Sequence, residues 1–199
     1  TDAGSQYICH SQDGGQTWTR PGNLGSPPTA LVGVPSAPGT WLAAGHGVWM
    51  STDLGTKWVP TLEPTDVEDH VRQLVRGADG TWYALWERAC EPSVSKDGGK
   101  TWDAKRIGID RAVSQRTAWA TGLAVDRKDP KHLLVSLRTL GETWSKDEKD
   151  GGPYESRDGG ATWTLLDGGL KDAKGAYRDG WNRGAGVAIE GAALVYLVD

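Results

Sequence analysis

Phenylalanine is absent from this sequence, methionine occurs once and cysteine twice. A core without Phe must draw its aromatic volume from the 11 tryptophans, which can fill large spaces if their N–H groups find partners. Cys9 and Cys90 are too few for a disulfide-stapled scaffold; one disulfide is open to them, but two free thiols are the favoured reading. Long apolar runs are missing, so no segment is expected to span a membrane. Cationic excess is missing as well: 22 Lys and Arg stand against 26 Asp and Glu. That balance gives no field to attract a polyanion, and no nucleic-acid partner is expected. No apolar period near 3.6 persists long enough to predict a helix. His10, His46, His70 and His132 lack metal-ligand spacing, and no Gly-rich phosphate loop precedes a helix. The reading is therefore no metal and no cofactor.

What is abundant is glycine, 28 in 199 residues, a quarter of it inside one repeated stretch. Ser11-Gln-Asp-Gly-Gly-Gln-Thr-Trp18 recurs as Ser51-Thr-Asp-Leu-Gly-Thr-Lys-Trp58, Ser95-Lys-Asp-Gly-Gly-Lys-Thr-Trp102 and Ser156-Arg-Asp-Gly-Gly-Ala-Thr-Trp163. The copies start 40, 44 and 61 residues apart. The first two intervals suit a four-stranded propeller blade, and the third carries an insertion. Between copies the same segments recur. In the third unit, 70–76 alternates, 77–80 is a turn, 81–86 is rich in β-branched and aromatic residues, and a short strand at 93–94 enters the repeat. Trp102 is expected to open the fourth strand.

The reading is one all-β domain over 1–199, a β-propeller of four-stranded antiparallel blades. Its parts are a half blade at 1–21, blades at 28–63, 70–108 and 118–168, and a half blade at 183–199. The first half supplies only the third and fourth strands of a blade, and the last only the first and second. Joined, they make a fourth blade, which closes a ring and leaves no unpaired edge. The same pattern also suits a homodimer in which two chains complete one ring of eight blades, or a segment of a longer propeller. Thr1-Asp2-Ala3-Gly4 holds neither an initiator Met nor a signal-peptide pattern, which fits a removed leader or a piece of a longer chain.

The repeat Ser-x-Asp-x-Gly-x-(Thr/Lys)-Trp resembles the Asp-box, or BNR repeat, of sialidases, xyloglucanase-type glycosidases, sortilin-type receptors and photosystem assembly factors. The resemblance implies a β-propeller, with the boxes on the face away from the ligand. It also implies a secreted or periplasmic protein that binds, and as an enzyme hydrolyses, glycans; the alternative is a protein-binding or assembly scaffold. The box residues are structural in this reading: Ser11, Asp13, Gly15 and Trp18; Ser51, Asp53, Gly55 and Trp58; Ser95, Asp97, Gly99 and Trp102; Ser156, Asp158, Gly160 and Trp163. Each Asp can accept from the backbone N–H groups that follow it, the second Gly takes a positive φ, and the Trp is expected to bury its ring. Sialidases carry Arg-Ile-Pro before the first box, where this chain has Gln6-Tyr7-Ile8-Cys9-His10, so their carboxylate-binding triad has no place. Xyloglucanase-type enzymes carry Thr-Asp-x-Gly-x-x-Tyr with a catalytic Asp. Thr1-Asp2-Ala3-Gly4-Ser5-Gln6-Tyr7 matches it, which makes Asp2 the catalytic candidate.

With the boxes on the back, function falls to the loops at the other end of the blades. The loops 138–152 and 167–184 are longer than strand connection requires. Tyr177, Arg178, Asp179, Trp181 and Arg183 set aromatic planes beside cations and a carboxylate, the combination that stacks on sugar rings and forks onto acids. Trp119, Arg138, Trp144 and Arg116 are further candidates by the same logic. Glu63, Asp66, Glu68, Asp69, Glu87, Glu142 and Asp179 supply the carboxylates from which a glycosidase would need a spaced pair.

Overall fold

The computed structural model describes residues 7–24, 27–64, 68–90, 92–103, 118–139, 151–166, 168–169 and 184–198. Among these the chain is entirely β and turn, with five antiparallel sheets in chain order. The first pairs β1 (Tyr7–His10) with β2 (Thr19–Asn23). The second is the meander β3 (Ala30–Gly33), β4 (Trp41–Gly45), β5 (Gly47–Ser51) and β6 (Val59–Leu62). The third holds β7 (Val71–Arg76), β8 (Trp82–Trp86) and β9 (Pro92–Ser95). The fourth holds β10 (Ala118–Val125), β11 (Leu133–Thr139), β12 (Gly152–Ser156) and β13 (Thr164–Leu165). The fifth pairs β14 (Gly184–Glu190) with β15 (Ala193–Val198).

The expected fourth strand of the third sheet is reduced to one bridge. Asp103 N donates to Val94 O at 2.7 Å, and Trp102 itself lies outside the ladder. Turn chemistry sets the hairpins. In the β7–β8 turn the Asp79 carboxylate accepts from Thr81 N at 3.0 Å and Thr81 Oγ1 at 2.9 Å, while Gly80 takes φ +89°.

Successive sheets face one another, and each interface is a separate core. Val34, Leu42, Ala44, Val48 and Met50 of the second sheet meet Val71, Leu74, Trp82, Ala84 and Trp86 of the third. Tyr83, Leu85 and Cys90 of the third meet Ala120, Leu123, Leu133, Val135 and Leu137 of the fourth. Side chains alternate across a strand, so β8 sends Trp82, Ala84 and Trp86 one way and Tyr83 and Leu85 the other. This strand is buried along its whole length because a sheet covers each of its faces. Between the first two sheets Ile8 and Leu24 pack on Ala43, Trp49 and Trp58. The fifth sheet lies against β10 and β11 of the fourth. There a Cβ on Gly122 would meet Gly186 Cα at 3.2 Å, so bare glycine lets the two backbones approach.

Among the described residues β14 and β15 pair with neither β1 nor β2. Neither cysteine is in a disulfide: Cys9 is exposed on β1 and Cys90 is buried in the connection between β8 and β9. No described helix is long and apolar enough to cross a membrane.

Candidate functional site

The repeated stretches form four turns with one hydrogen-bond scheme. Each Ser hydroxyl donates to the Asp Oδ1 at 2.8 Å. It accepts in turn from the N–H of Gly15, Gly55, Gly99 or Gly160 at 2.8–2.9 Å. The N–H of Thr17, Lys57, Thr101 or Thr162 donates to the same Oδ1 at 2.8–2.9 Å. Where the seventh residue is Thr, its hydroxyl reaches Oδ2 of Asp13, Asp97 or Asp158 at 2.5–2.6 Å. Lys57 cannot supply that hydroxyl. Each Trp Nε1 closes the turn by donating to the Gly carbonyl at 3.0–3.1 Å.

This web keeps the carboxylates ionised. The Thr17 hydroxyl and N–H, then Ser11, hold Asp13 at about 2, and Thr162 and Ser156 hold Asp158 at about 2 in the same way. At Asp97 partial burial pushes upward, but the bonds from Thr101, Ser95 and Lys100 together outweigh it and leave about 2. At Asp53 the Lys57 N–H leads a smaller set that also lowers the carboxyl. A carboxylate so engaged is already ionised near neutral pH and holds no proton to donate there.

The rings differ in cover. Trp58, Trp102 and Trp163 are half-buried, each against the preceding sheet. Trp102 Nε1 also reaches Thr61 Oγ1 of that sheet at 3.1 Å. Trp18 breaks the expectation of a buried ring: it is 63% exposed, because no described sheet precedes its own.

At the opposite ends of the strands, the connections of the second, third and fourth sheets bring a polar band together. The rings of His46 and His70 lie 5.3 Å apart, tilted by 52°. Asp69 is buried and bridges two loops: it accepts from His70 N and Arg88 N at 2.8 Å and from Ala89 N at 2.9 Å. Arg88 pairs with Glu68. Arg72 pairs with Glu87 at 2.8 Å, and Glu87 O accepts from Ala120 N of the fourth sheet at 2.7 Å. One residue before Ala120, Trp119 stands directly opposite Arg138 in the β10–β11 register, and its ring is 37% exposed. Two of the sequence candidates are thus brought side by side. Among the candidate carboxylates, Glu68, Asp69 and Glu87 are each committed to a partner, and Glu63 is exposed. Asp2, Asp66, Arg116, Glu142, Trp144, Tyr177, Arg178, Asp179, Trp181 and Arg183 lie outside the described residues.

One cluster escaped the sequence reading. His132 is buried, with Nδ1 3.3 Å from Asp126 Oδ2 and Nε2 2.7 Å from Glu155 Oε1, and Arg157 stands 2.6 Å from the same Glu155 oxygen. Asp126 is also buried. Its carboxyl is held low by the Lys128 N–H first, which donates to Oδ1 at 2.8 Å, and then by His132. The cluster lies at the end of the fourth sheet that carries the Ser-x-Asp turn and ties the β10–β11 turn to β12. Residues 126 and 132 flank a turn, which is the only sign of it in the sequence. Among the described residues no group of three or more His, Cys, Asp or Glu is arranged to hold a metal.

Five stacked antiparallel sheets built from short meanders make this chain a β-propeller structure. The same fold is found in solved GH74 enzymes. A GH74 enzyme of Niastella koreensis is 20% identical with a TM-score of 0.57, over 89% of this chain and 29% of that one. The GH74 xyloglucanase of Xanthomonas campestris is 18% identical with a TM-score of 0.62, over 84% and 26%. An ancestral GH74 enzyme is 15% identical with a TM-score of 0.51, over 81% and 21%. The chain therefore spans between about a fifth and three tenths of the length of these structures. No protein-family model and no curated protein matches it.

Proposed function

We propose that the chain is a carbohydrate-binding portion of an Asp-box β-propeller, with the glycan lying across the strand ends opposite the Ser-x-Asp turns. The observation that carries this is the exposed Trp119 set directly opposite Arg138 on the neighbouring strand. An indole plane offers a surface for the C–H face of a sugar, and a guanidinium on the neighbouring strand can bond its hydroxyls. That one of the neighbours is a xyloglucanase supports the same ligand class.

Hydrolysis requires two carboxylates about 5 to 9.5 Å apart across the scissile bond. Glu68, Asp69 and Glu87 are each held by an arginine or by backbone N–H groups, so they serve as scaffold in this reading. A catalytic role stays with Asp2, which the xyloglucanase-like motif singles out.

Calorimetric titration with xyloglucan oligosaccharides, run beside a reducing-end assay, tests both parts. Trp119→Ala should weaken binding about tenfold, the worth of one aromatic contact of about 1.4 kcal/mol, without moving the melting temperature. Unchanged affinity in that variant overturns the site. Failure to bind any polysaccharide, with a protein captured through the same residues, replaces the reading with that of a protein-binding propeller.

A further inference from the structure

Three cations at one end of the third sheet stand without a partner. Arg72, Arg88 and Arg157 pair with Glu87, Glu68 and Glu155. Among the described residues Arg76, Lys96 and Lys100 make no ion pair. The fold does not ask for these charges. Lys96 and Lys100 are the second and sixth residues of their Ser-x-Asp turn, where the other turns carry Gln12 and Gln16, Thr52 and Thr56, and Arg157 and Ala161. Arg76 stands opposite Trp82, and the matching places opposite Trp41 and Leu133 hold Gly33 and Val125. Arg157 shows how such a charge is neutralised: Glu155, two residues before it, bonds it at 2.6 Å. Before Lys96 that place is held by Val94.

All three line one cleft of about 420 Å³ between the second and third sheets, at the ends that carry the Ser-x-Asp turns. That volume falls within the range of about 300–1,000 Å³ usual for small-molecule sites. One wall is the turn 95–102 together with the β7–β8 turn. There the Arg76 guanidinium lies over Gly80, where a Cβ would meet its Nη2 at 3.4 Å. The facing wall is the β3–β4 turn with Thr52, where Ser36, Thr40 and Thr52 offer hydroxyls. Val34, Ala37 and Met50 supply an apolar floor. Gly98 sets the walls close, its Cβ position lying 3.8 Å from Val34 Cγ1. Two carboxylates also reach the cleft, but both are spent within their own turns. Asp79 accepts from Thr81 N and Oγ1, and Asp97 accepts from Ser95 Oγ, Lys100 N and Thr101 N and Oγ1. Three cations against two carboxylates leave the cleft one positive charge.

We infer that this cleft binds a monoanionic sugar, a uronic acid residue held by its carboxylate. The Arg76 fork takes the two carboxylate oxygens, and Lys96 and Lys100 add point charges. Ser36, Thr40 and Thr52 bond the ring hydroxyls from the facing wall, and the C–H face of the sugar rests on the apolar floor. One surplus charge balances a carboxylate but leaves a phosphate monoester, with nearly two negative charges, half compensated. A bare anion would leave the hydroxyls and the floor unused. The Trp119–Arg138 surface lies at the other ends of the strands, so the two sites stand independently.

Titration of the chain with glucuronic acid at low salt, followed by amide NMR shifts, tests the site. The N–H signals of Thr52, Gly80 and Gly98 should move and saturate, while those of Trp119 and Arg138 stay in place. Glucose at equal concentration should move none of them. Raising the salt to about 1 M, where the Debye length falls to about 3 Å, should weaken binding several-fold. Arg76→Gln, and Lys96→Gln combined with Lys100→Gln, change exposed side chains; each should keep the melting temperature and weaken binding about tenfold. Trp119→Ala should bind glucuronic acid as before, whatever it does to xyloglucan oligosaccharides, and a loss there overturns the inference. Equal response to glucose, acetate or inorganic phosphate bound as tightly as glucuronic acid, or shifts that map elsewhere also overturn it. So does an affinity that survives the loss of both lysines. If the variants do not fold, the shift map of the unaltered chain decides.

Discussion

At the scale of the residue, each Ser-x-Asp turn is a small charge device. Asp13, Asp97 and Asp158 sit at about 2, against 3.8 for a free aspartate. The unfolded chain thus binds more protons than the fold as pH falls through about 4. The stability these groups contribute is complete above that point and is lost between about 4 and 2. The urea midpoint should fall over this window, and Asp97→Asn should flatten the fall; a midpoint indifferent to pH there would refute the assignment. The tryptophans of the turns separate by cover. Trp102→Ala removes a half-buried ring and the bond to Thr61, and should cost roughly 2–4 kcal/mol. Trp18→Ala should cost well under half of that, since most of its ring already meets water. Equal costs by chemical denaturation would show that the rings do not owe their worth to the preceding sheet.

At the scale of the element, strands were legible wherever local chemistry decides them. Thr81-Trp-Tyr-Ala-Leu-Trp86 is bounded by a Gly-rich turn and can only be a covered strand, and β8 is buried on both faces. The fourth strands were not legible, because β13 spans two residues and the third sheet ends in a single bridge. Their pairing depends on the neighbour rather than on their own pattern. Site residues show the same limit. Asp69 reads in sequence like any loop carboxylate, and its partners Arg88 N and Ala89 N arrive from about twenty residues away. Trp18 reads like the other three, and only the arrangement of sheets exposes it. Gly122 is another such case, unremarked until β14 packs on it. Gly122→Val would drive its side chain into Gly186 Cα and Val187 N, so the fifth sheet must move off. Tyr196 fluorescence or proteolysis near 184–198 should report the release, with the third sheet still folded. A variant that kept β14 and β15 as protected as before would mean that the close approach is not needed.

At the scale of the whole molecule, each sheet touches only its neighbours, so stability is a sum of sheet and interface terms along one line. The third sheet has an interface on both faces, whereas the first and fifth each have one. Hydrogen exchange should therefore be slowest in β8, intermediate in β4 and β11, and fastest in β1, β2 and β15. Local openings at the ends cost one interface, whereas opening β8 costs two. A uniform exchange rate across all five sheets would mean that the stack unfolds as one unit.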